Sequence, residues 1–409
     1  MKNFDFPMSR FLSELETAIN IDSGTSDLEG CRKAARFYME RMEKAGLCCQ
    51  MLQAESGSLH PVLVGTTPNG TSPRDGEKPY HFLLVGHTDT VFPSGTAAER
   101  PFRLEYEEGR PVRAYGPGTV DMKAGALLMI YIAEYLMKYC PDIRLCLLLN
   151  SDEETGSAES LETILHWGQQ AETAFVFEGG RKQDQFVSAR KGCNKYEISV
   201  SGVASHAGTA PWKGANAIVQ MGHLVTALDR LKNYSRGTSV NVGLIQGGTA
   251  LNVVPDLCTA QMEVRYTNKK EMDRVQSAID RLAARTPKVE GTQTEFSLLR
   301  STPPLAETPD AQRLMERMRA YEAQYAADLQ ILKREGLLPE DCPVHPVDFV
   351  AAGGLSDANR LASCKIPVID GCGPGGGNPH SEKEFLTIDT ILKRYVFFCG
   401  LLPWLRGIS

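Results

Sequence analysis

Between about Lys191 and Arg300 the apolar stretches and helical repeats follow the order β-α-β-β-α-β, and no other feature of this sequence constrains its fold as tightly. The elements read as Tyr196–Gly202, a helix over Asn216–Leu231, Ser239–Gln246, Thr259–Tyr266, a helix over Lys270–Arg285, and Thr294–Leu299. This is the ferredoxin-like order, an α+β module. Before it, short Leu- and Val-rich runs such as His81–Val85 and Ile143–Leu149 alternate with long helical patterns such as Met122–Tyr139. That alternation predicts an α/β domain with a mostly parallel central sheet. After Arg300 a long helix is expected, with Leu314, Met318, Tyr321, Tyr325, Leu329 and Leu332 forming a core stripe, and the α/β pattern then returns. A chain of 409 residues exceeds what one core usually supports. The expected organisation is therefore a discontinuous α/β domain over residues 1–190 and 301–409, with the ferredoxin-like module, residues 191–300, inserted into it.

Charge narrows the partners. A net charge of −6 and a pI near 5.8 give no electrostatic reason to bind nucleic acid or an anionic membrane surface, so a small molecule or peptide fits better. The most apolar stretch, Ala124–Met137, is interrupted by Glu134 and is shorter than the roughly 20 residues that span a bilayer. The N-terminus, MKNFDFPMSRFLSELE, has acids where a signal peptide needs an apolar run, and reads as a first amphipathic helix. Asn69–Lys78 reads as a polar surface loop. Eleven cysteines contain no Cys-x-x-Cys pair, which points to reduced thiols in a cytoplasmic protein.

The residues that carry chemistry gather at the ends of apolar runs. His87 and Asp89 close Leu-Leu-Val-Gly-His-Thr-Asp-Thr-Val, a buried-strand pattern, and ligands of open α/β sheets collect at such ends. Two residues apart on an extended chain, they either converge on one ion or form a surface pair. Asp121, in Gly-Pro-Gly-Thr-Val-Asp-Met-Lys-Ala-Gly, stands at the start of an apolar helix as a ligand or a cap. Glu153 and Glu154 follow Leu145–Leu149 as an acidic cluster or a solvated turn. Glu178 ends Ala174–Phe177 before two glycines that permit close backbone approach. His380 lies in a glycine-rich loop that lacks the Gly-Lys-Ser/Thr of a phosphate cradle. Recurrence favours ligands, since together these residues supply the nitrogen and oxygen donors that Zn²⁺ accepts.

The motifs resemble the zinc-dependent family that contains glutamate carboxypeptidase, acetylornithine deacetylase, succinyl-diaminopimelate desuccinylase and the aminoacylases. The resemblance rests on Gly-His-Thr-Asp-Thr-Val at 86–91, the turn at 116–125, Asp-Glu-Glu-Thr-Gly-Ser at 152–157, Ser-His-Ala-Gly at 205–208, Asn252 before Val-Val-Pro, Arg265, and Gly-Gly-Leu-Ser-Asp at 353–357. It implies a di-zinc peptidase-like catalytic domain in which the inserted module is a lid and dimerisation domain. It implies two Zn²⁺ per subunit, with Co²⁺ or Mn²⁺ as substitutes, and Asp121 as the bridging carboxylate. His87 and Glu178 would complete one ion, Glu154 and His380 the other. Glu153 would be the general base and Asp89 the partner that fixes the His87 ring. His206 would stabilise the oxyanion from the other subunit of a homodimer. Arg265 and Asn252, with the Gly354–Ser356 backbone, would bind a substrate carboxylate. The implied activity is hydrolysis of an amide next to a free carboxylate, in dipeptides or N-acyl amino acids. A small-molecule N-deacylase of acetylornithine-deacetylase type is the alternative, and a non-catalytic binding protein of the same fold a more remote one.

Overall fold

The structure is a computed structural model that describes residues 4, 6–53, 60–71 and 77–408. Residues 72–76 of the expected Asn69–Lys78 loop lie outside the described residues. The chain divides into two compact units, one formed by residues 1–188, 307–351 and 356–409, the other by residues 189–306 and 352–355.

The larger unit is built on a six-stranded sheet in the order Cys48–Gln53, Pro61–Thr66, Leu145–Asn150, Tyr80–His87, Ala171–Val176, Val368–Ile369. Pairing is parallel from Leu145–Asn150 outward to Val368–Ile369, and antiparallel on both sides of Pro61–Thr66. Tyr80–His87 and Leu145–Asn150 are buried along their whole length, and strands covered on both faces need the unbroken apolar runs seen in the sequence. Among the covering helices, Ala124–Tyr139 and Ile388–Leu405 bury most of their circumference, so their stripes are nearly continuous too. Leu28–Lys44 starts at Asp27, whose carboxylate accepts the Gly30 N–H and satisfies one of the end donors. The first helix runs from Met8 to Ile19 and buries Phe11, Leu12, Leu15 and Ile19.

Two sequence expectations need correction here. The helix expected from Met122 begins at Ala124, because Asp121 and Met122 have non-helical backbone angles. The single long helix expected after Arg300, carrying Leu314 to Leu332, is two, Pro309–Ala320 and Glu322–Arg334, meeting at Tyr321. Among the described residues, no helix is long and apolar enough to cross a membrane.

The smaller unit is a four-stranded antiparallel sheet in the order Ser239–Gly247, Leu257–Tyr266, Gly192–Ser201, Gln293–Thr302. Along Gly192–Ser201, buried positions alternate with more exposed ones from Tyr196 onward, as a sheet with one covered face requires. Helices Ala217–Asp229 and Lys269–Ala283 supply the cover: Met221, Leu224, Leu228, Val275 and Ile279 share a core with Ile198, Val200, Ala260 and Met262. Asn216 and Asn268 cap these helices by accepting the N–H groups of Val219 and Glu271.

Candidate metal centre

The sheet brings the candidate ligands together. His87 is the last residue of its strand and pairs in register with Asn150, while Val85 pairs with Val176, so three neighbouring parallel strands end at the same edge. His87, Glu153 with Glu154, and Glu178 project from those three ends, the position where open α/β sheets gather ligands. Asp121 comes from the turn Thr119–Lys123, whose entry uses the left-handed conformation at Gly118, φ +78°. It does not cap the following helix, whose first turn has no side-chain cap. His380 has φ +61°, a left-handed conformation uncommon for a non-glycine residue. Behind Glu178, a β-carbon on Gly373 would stand 2.4 Å from the Phe177 carbonyl oxygen, so only glycine lets these two backbones pack.

The distances define one cluster in the larger unit. His87 Nε2 stands 3.3 Å from Asp121 Oδ1 and 3.7 Å from Glu178 Oε1. His380 Nε2 stands 2.9 Å from Asp121 Oδ2 and 3.4 Å from Glu154 Oε2. Each Asp121 oxygen thus faces a different histidine. Grouping donor atoms by mutual proximity gives a second division, His87 with Asp121 and Glu154, and His87 with Glu153 and Glu178, each within 4.8 Å. The two divisions differ over Glu154 and Glu153. The Asp121 oxygens separate two groups of donors, His87 with Glu178 and His380 with Glu154.

Electrostatics favours a cation in this cluster. Burial works to keep the His87 ring neutral, yet the carboxylates of Asp121, Asp89 and Glu178 raise its pKa well above the usual imidazole value. Contacts with Asp121 and then Glu154 raise His380 to about 10. Burial opposes ionisation of Asp121, but the two imidazoles outweigh it and hold this group below the ordinary carboxylate range. Burial raises Glu153 well above its ordinary value, and Glu178, Asp357 and Glu154 add to the effect. Protons on the imidazoles here supply positive charge that a metal ion would supply instead. Among the described residues, the buried His87 Nε2 and Glu154 Oε1 find no hydrogen-bond partner, the state expected of atoms reserved for a metal. Two imidazoles with carboxylates form a donor set suited to zinc.

Asp89 does not converge with His87 Nε2. Its carboxylate lies on the other ring nitrogen, Oδ1 3.3 Å from Nδ1, and the ring also meets the Asp89 carbonyl at 3.0 Å. The same carboxylate accepts the backbone N–H of Glu153 at 3.2 Å and of Glu154 at 3.1 Å, and the Thr25 hydroxyl at 2.7 Å. It therefore fixes three site residues at once. Sequence reasoning missed Thr25 and Asp357. Asp357 is buried, accepts from Ser157 Oγ and from Asn150 Nδ2 at 2.9 Å, and is pushed up to about 6 by burial. Its only signal was its place in the Gly-Gly-Leu-Ser-Asp motif. Ser356, expected beside the substrate, donates its hydroxyl to Asp370 at 2.6 Å and caps Asp357–Leu361.

In the smaller unit, His206 lies on a short strand paired with Val253–Val254 and is exposed. Its Nδ1 accepts the N–H groups of Gly208 and Thr209, both at 3.1 Å. That leaves the neutral ring's proton on Nε2, as a donor. The exposed Asn252 gives its carbonyl to the Ala207 N–H at 2.9 Å. Arg265 donates through Nε to Glu263 at 2.6 Å and through Nη1 to the Gly353 carbonyl at 2.8 Å. Arg190 Nη1 donates to the Gly354 carbonyl at 3.1 Å. Among the described residues, two of the five guanidinium donors of Arg265 are thus engaged, and the others lie on the Nη1 and Nη2 end.

An α/β unit that gathers histidines and carboxylates at its strand ends, in a chain that also carries a ferredoxin-like unit, defines a metal-dependent hydrolase. Comparison with known proteins places it more closely. Residues 188–290 match the peptidase dimerisation domain family. The chain is 27% identical over 397 residues to carboxypeptidase G2 of Pseudomonas sp. (strain RS-16), covering 96% of this chain and 88% of that protein. Its fold is similar to that of an M20 family metallo-carboxypeptidase from Sulfolobus solfataricus, with TM-score 0.67, 16% identity and coverage of 96% and 99% of the two chains. It is similar also to a dinuclear metal-binding M20 peptidase from Bacillus subtilis, with TM-score 0.63, 13% identity and coverage of 98% and 99%. The chain is thus similar to carboxypeptidase G2 over nearly its whole length and to metallopeptidases in fold, and it is a metal-dependent hydrolase.

Proposed function

We propose that this protein is a two-zinc carboxypeptidase that hydrolyses the amide bond next to a free carboxylate in dipeptides or N-acyl amino acids. The observation that carries the reading is the placement of Asp121, with Oδ1 toward His87 and Oδ2 toward His380. His87 and Glu178 would hold one ion and Glu154 and His380 the other, with Asp121 shared. Four carboxylates face the two imidazoles, Asp121, Glu153, Glu154 and Glu178, and their full charge matches two divalent cations. When bound, such ions polarise the amide carbonyl and lower the pKa of water toward about 7.

The chain's own residues do the rest. A Glu153 carboxylate oxygen takes a proton from the attacking water as its oxygen bonds to the amide carbon. The C–N bond then breaks as Glu153 returns that proton to the leaving nitrogen, giving an acid and an amine. His206, with its proton on Nε2, donates to the carbonyl oxygen as negative charge develops there. Arg265 takes the substrate carboxylate through its Nη1 and Nη2 end, while Glu263 on its Nε holds the guanidinium in plane. Asp89 keeps the His87 ring oriented by its Nδ1.

A screen of dipeptides and N-acyl amino acids, as free acids and as C-terminal amides, with zinc, cobalt or manganese added, tests this reading. Free acids should be cleaved and their amides should be poor. Cleavage of N-acyl amides regardless of a free carboxylate would sink the carboxypeptidase assignment.

A further inference from the structure

Asp121 owes its position to a turn that is unusual in its own hydrogen bonding. Residues 118–123 follow neither a helix nor a strand: Gly118 has φ +78°, Asp121 has φ −126° and ψ 91°, and Met122 has φ −133° and ψ 37°. Backbone N–H groups buried in such a segment need partners from elsewhere, because one left unpaired gives up its bond to water for nothing in return. A single side chain meets three of them. Glu384 Oε1 accepts the N–H of Val120 at 2.9 Å and of Asp121 at 3.2 Å, and Oε2 accepts the N–H of Gly118 at 3.1 Å. Glu384 is 2% exposed, so these contacts are shielded from water. The far end of the turn is anchored separately, by Lys123 Nζ on the carbonyls of Ala18 and Ile21 and by the Tyr38 hydroxyl on the Lys123 carbonyl.

Glu384 stands four residues beyond His380, where the chain enters the strand Phe385–Thr387. That strand pairs with Arg110–Tyr115, Leu386 opposite Ala114, so the position of Glu384 is set by the sheet rather than by the His380 loop. One carboxylate thus joins the backbone carrying Asp121 to the segment carrying His380, whose Nε2 stands 2.9 Å from Asp121 Oδ2.

We infer that Glu384 is a positioning residue for the metal centre: through three backbone hydrogen bonds it fixes the Asp121 carboxylate opposite His380 and so sets the affinity for metal. The inference rests on the two-zinc reading above. Glu384 acts through the backbone of Gly118, Val120 and Asp121 rather than as a ligand. A carboxylate is required because both oxygens must accept; an amide in its place turns a donor toward at least one of the three N–H groups.

The test is zinc affinity, measured on metal-depleted full-length protein by competition with a chromophoric chelator, for wild type, Glu384→Gln and Glu384→Ala. Glu134→Gln, which removes a carboxylate from the Arg10 and Arg41 pairs of the same unit, serves as control. Thermal midpoints of the metal-free proteins are recorded alongside. Glu384→Gln should lose about 10- to 100-fold in zinc affinity, the scale on which groups behind metal ligands act. Glu384→Ala should lose at least as much, and Glu134→Gln should bind as wild type does. Zinc affinity within twofold of wild type in folded Glu384→Gln would overturn the inference, even if its midpoint fell, because a merely structural carboxylate would do just that. Should Glu384→Ala not fold, Glu384→Gln, which keeps the side-chain shape, decides alone. Failure of the wild type to bind zinc would count against the two-zinc reading instead, and is seen in a separate arm.

Discussion

Glu153 and Glu154 are adjacent, both acidic, and proposed for different work. They sit in a single 3₁₀ turn, Glu153–Thr155, whose first two N–H groups are held by Asp89. From there Glu154 reaches toward His380, while Glu153 reaches the side of His87 and Glu178. Glu153→Gln should keep metal content nearly intact and lower kcat at least about 10²-fold, since an amide cannot take the water's proton. Glu154→Gln should lose metal. Elemental analysis and kcat on both variants check this division, and equal metal content with equal activity in the two would refute it. At this scale the sequence was informative where candidate ligands stand at strand ends, as with His87, Glu154 and Glu178, which the structure brings into one cluster. It was silent where a side chain serves groups remote in the chain, as Glu384 serves the backbone of residues 118–121 and Asp357 serves the side chains of Ser157 and Asn150. Those acids have no periodic signature, because their partners are N–H and hydroxyl groups remote in the chain.

At the scale of elements, hydrophobic period located the strands and most helices, but local chemistry set their ends. The break at Tyr321 left no mark on the apolar spacing, since Met318, Tyr321 and Tyr325 stay in helical phase across it. The Tyr321 side chain packs so close to Gly400 that a β-carbon there would collide with its hydroxyl. The strand Tyr80–His87 carries a further consequence near its start. His81 is 5% exposed, and burial, reinforced by Arg406 and Arg144, lowers its pKa to about 4 from 6.5. Above pH 6.5 the ring is neutral folded or unfolded and contributes no pH dependence. As pH falls from 6.5 toward 4 the unfolded chain takes up the proton first, so folding stability declines across that window, by roughly 3 kcal/mol at most from this group. Urea denaturation at pH 7 and pH 4.5 should show a smaller drop for His81→Gln than for wild type. An identical drop would show that other groups carry the acid sensitivity.

At the scale of the molecule, the ferredoxin-like order of the inserted unit was legible because its two helices and four strands each present one apolar face. The sequence could not show how Arg265 is used, since its Glu263 and Gly353 partners depend on strand pairing and on the return of residues 352–355 to this unit. The unit that matches the peptidase dimerisation domain family carries His206, which the resemblance assigns to the catalytic centre of a partner subunit. Mixing inactive His206→Ala with inactive Glu153→Ala under subunit exchange should therefore restore activity. Random exchange makes about half the dimers mixed, each with one intact centre, so recovery should approach about a quarter of wild-type activity when sites act independently. No recovery despite demonstrated exchange would place His206 in its own subunit's chemistry.

The central claim is that Asp121 joins two metal ions into one hydrolytic centre, and zinc stoichiometry tests it most directly. Titrating metal-depleted protein with zinc, following bound metal and turnover of a cleaved dipeptide together, should give two equivalents per chain and activity that rises with occupancy. Asp121→Asn should bind at most one equivalent and stay inactive. A wild-type chain that saturates at one equivalent, or that turns over at full rate without metal, would contradict the account.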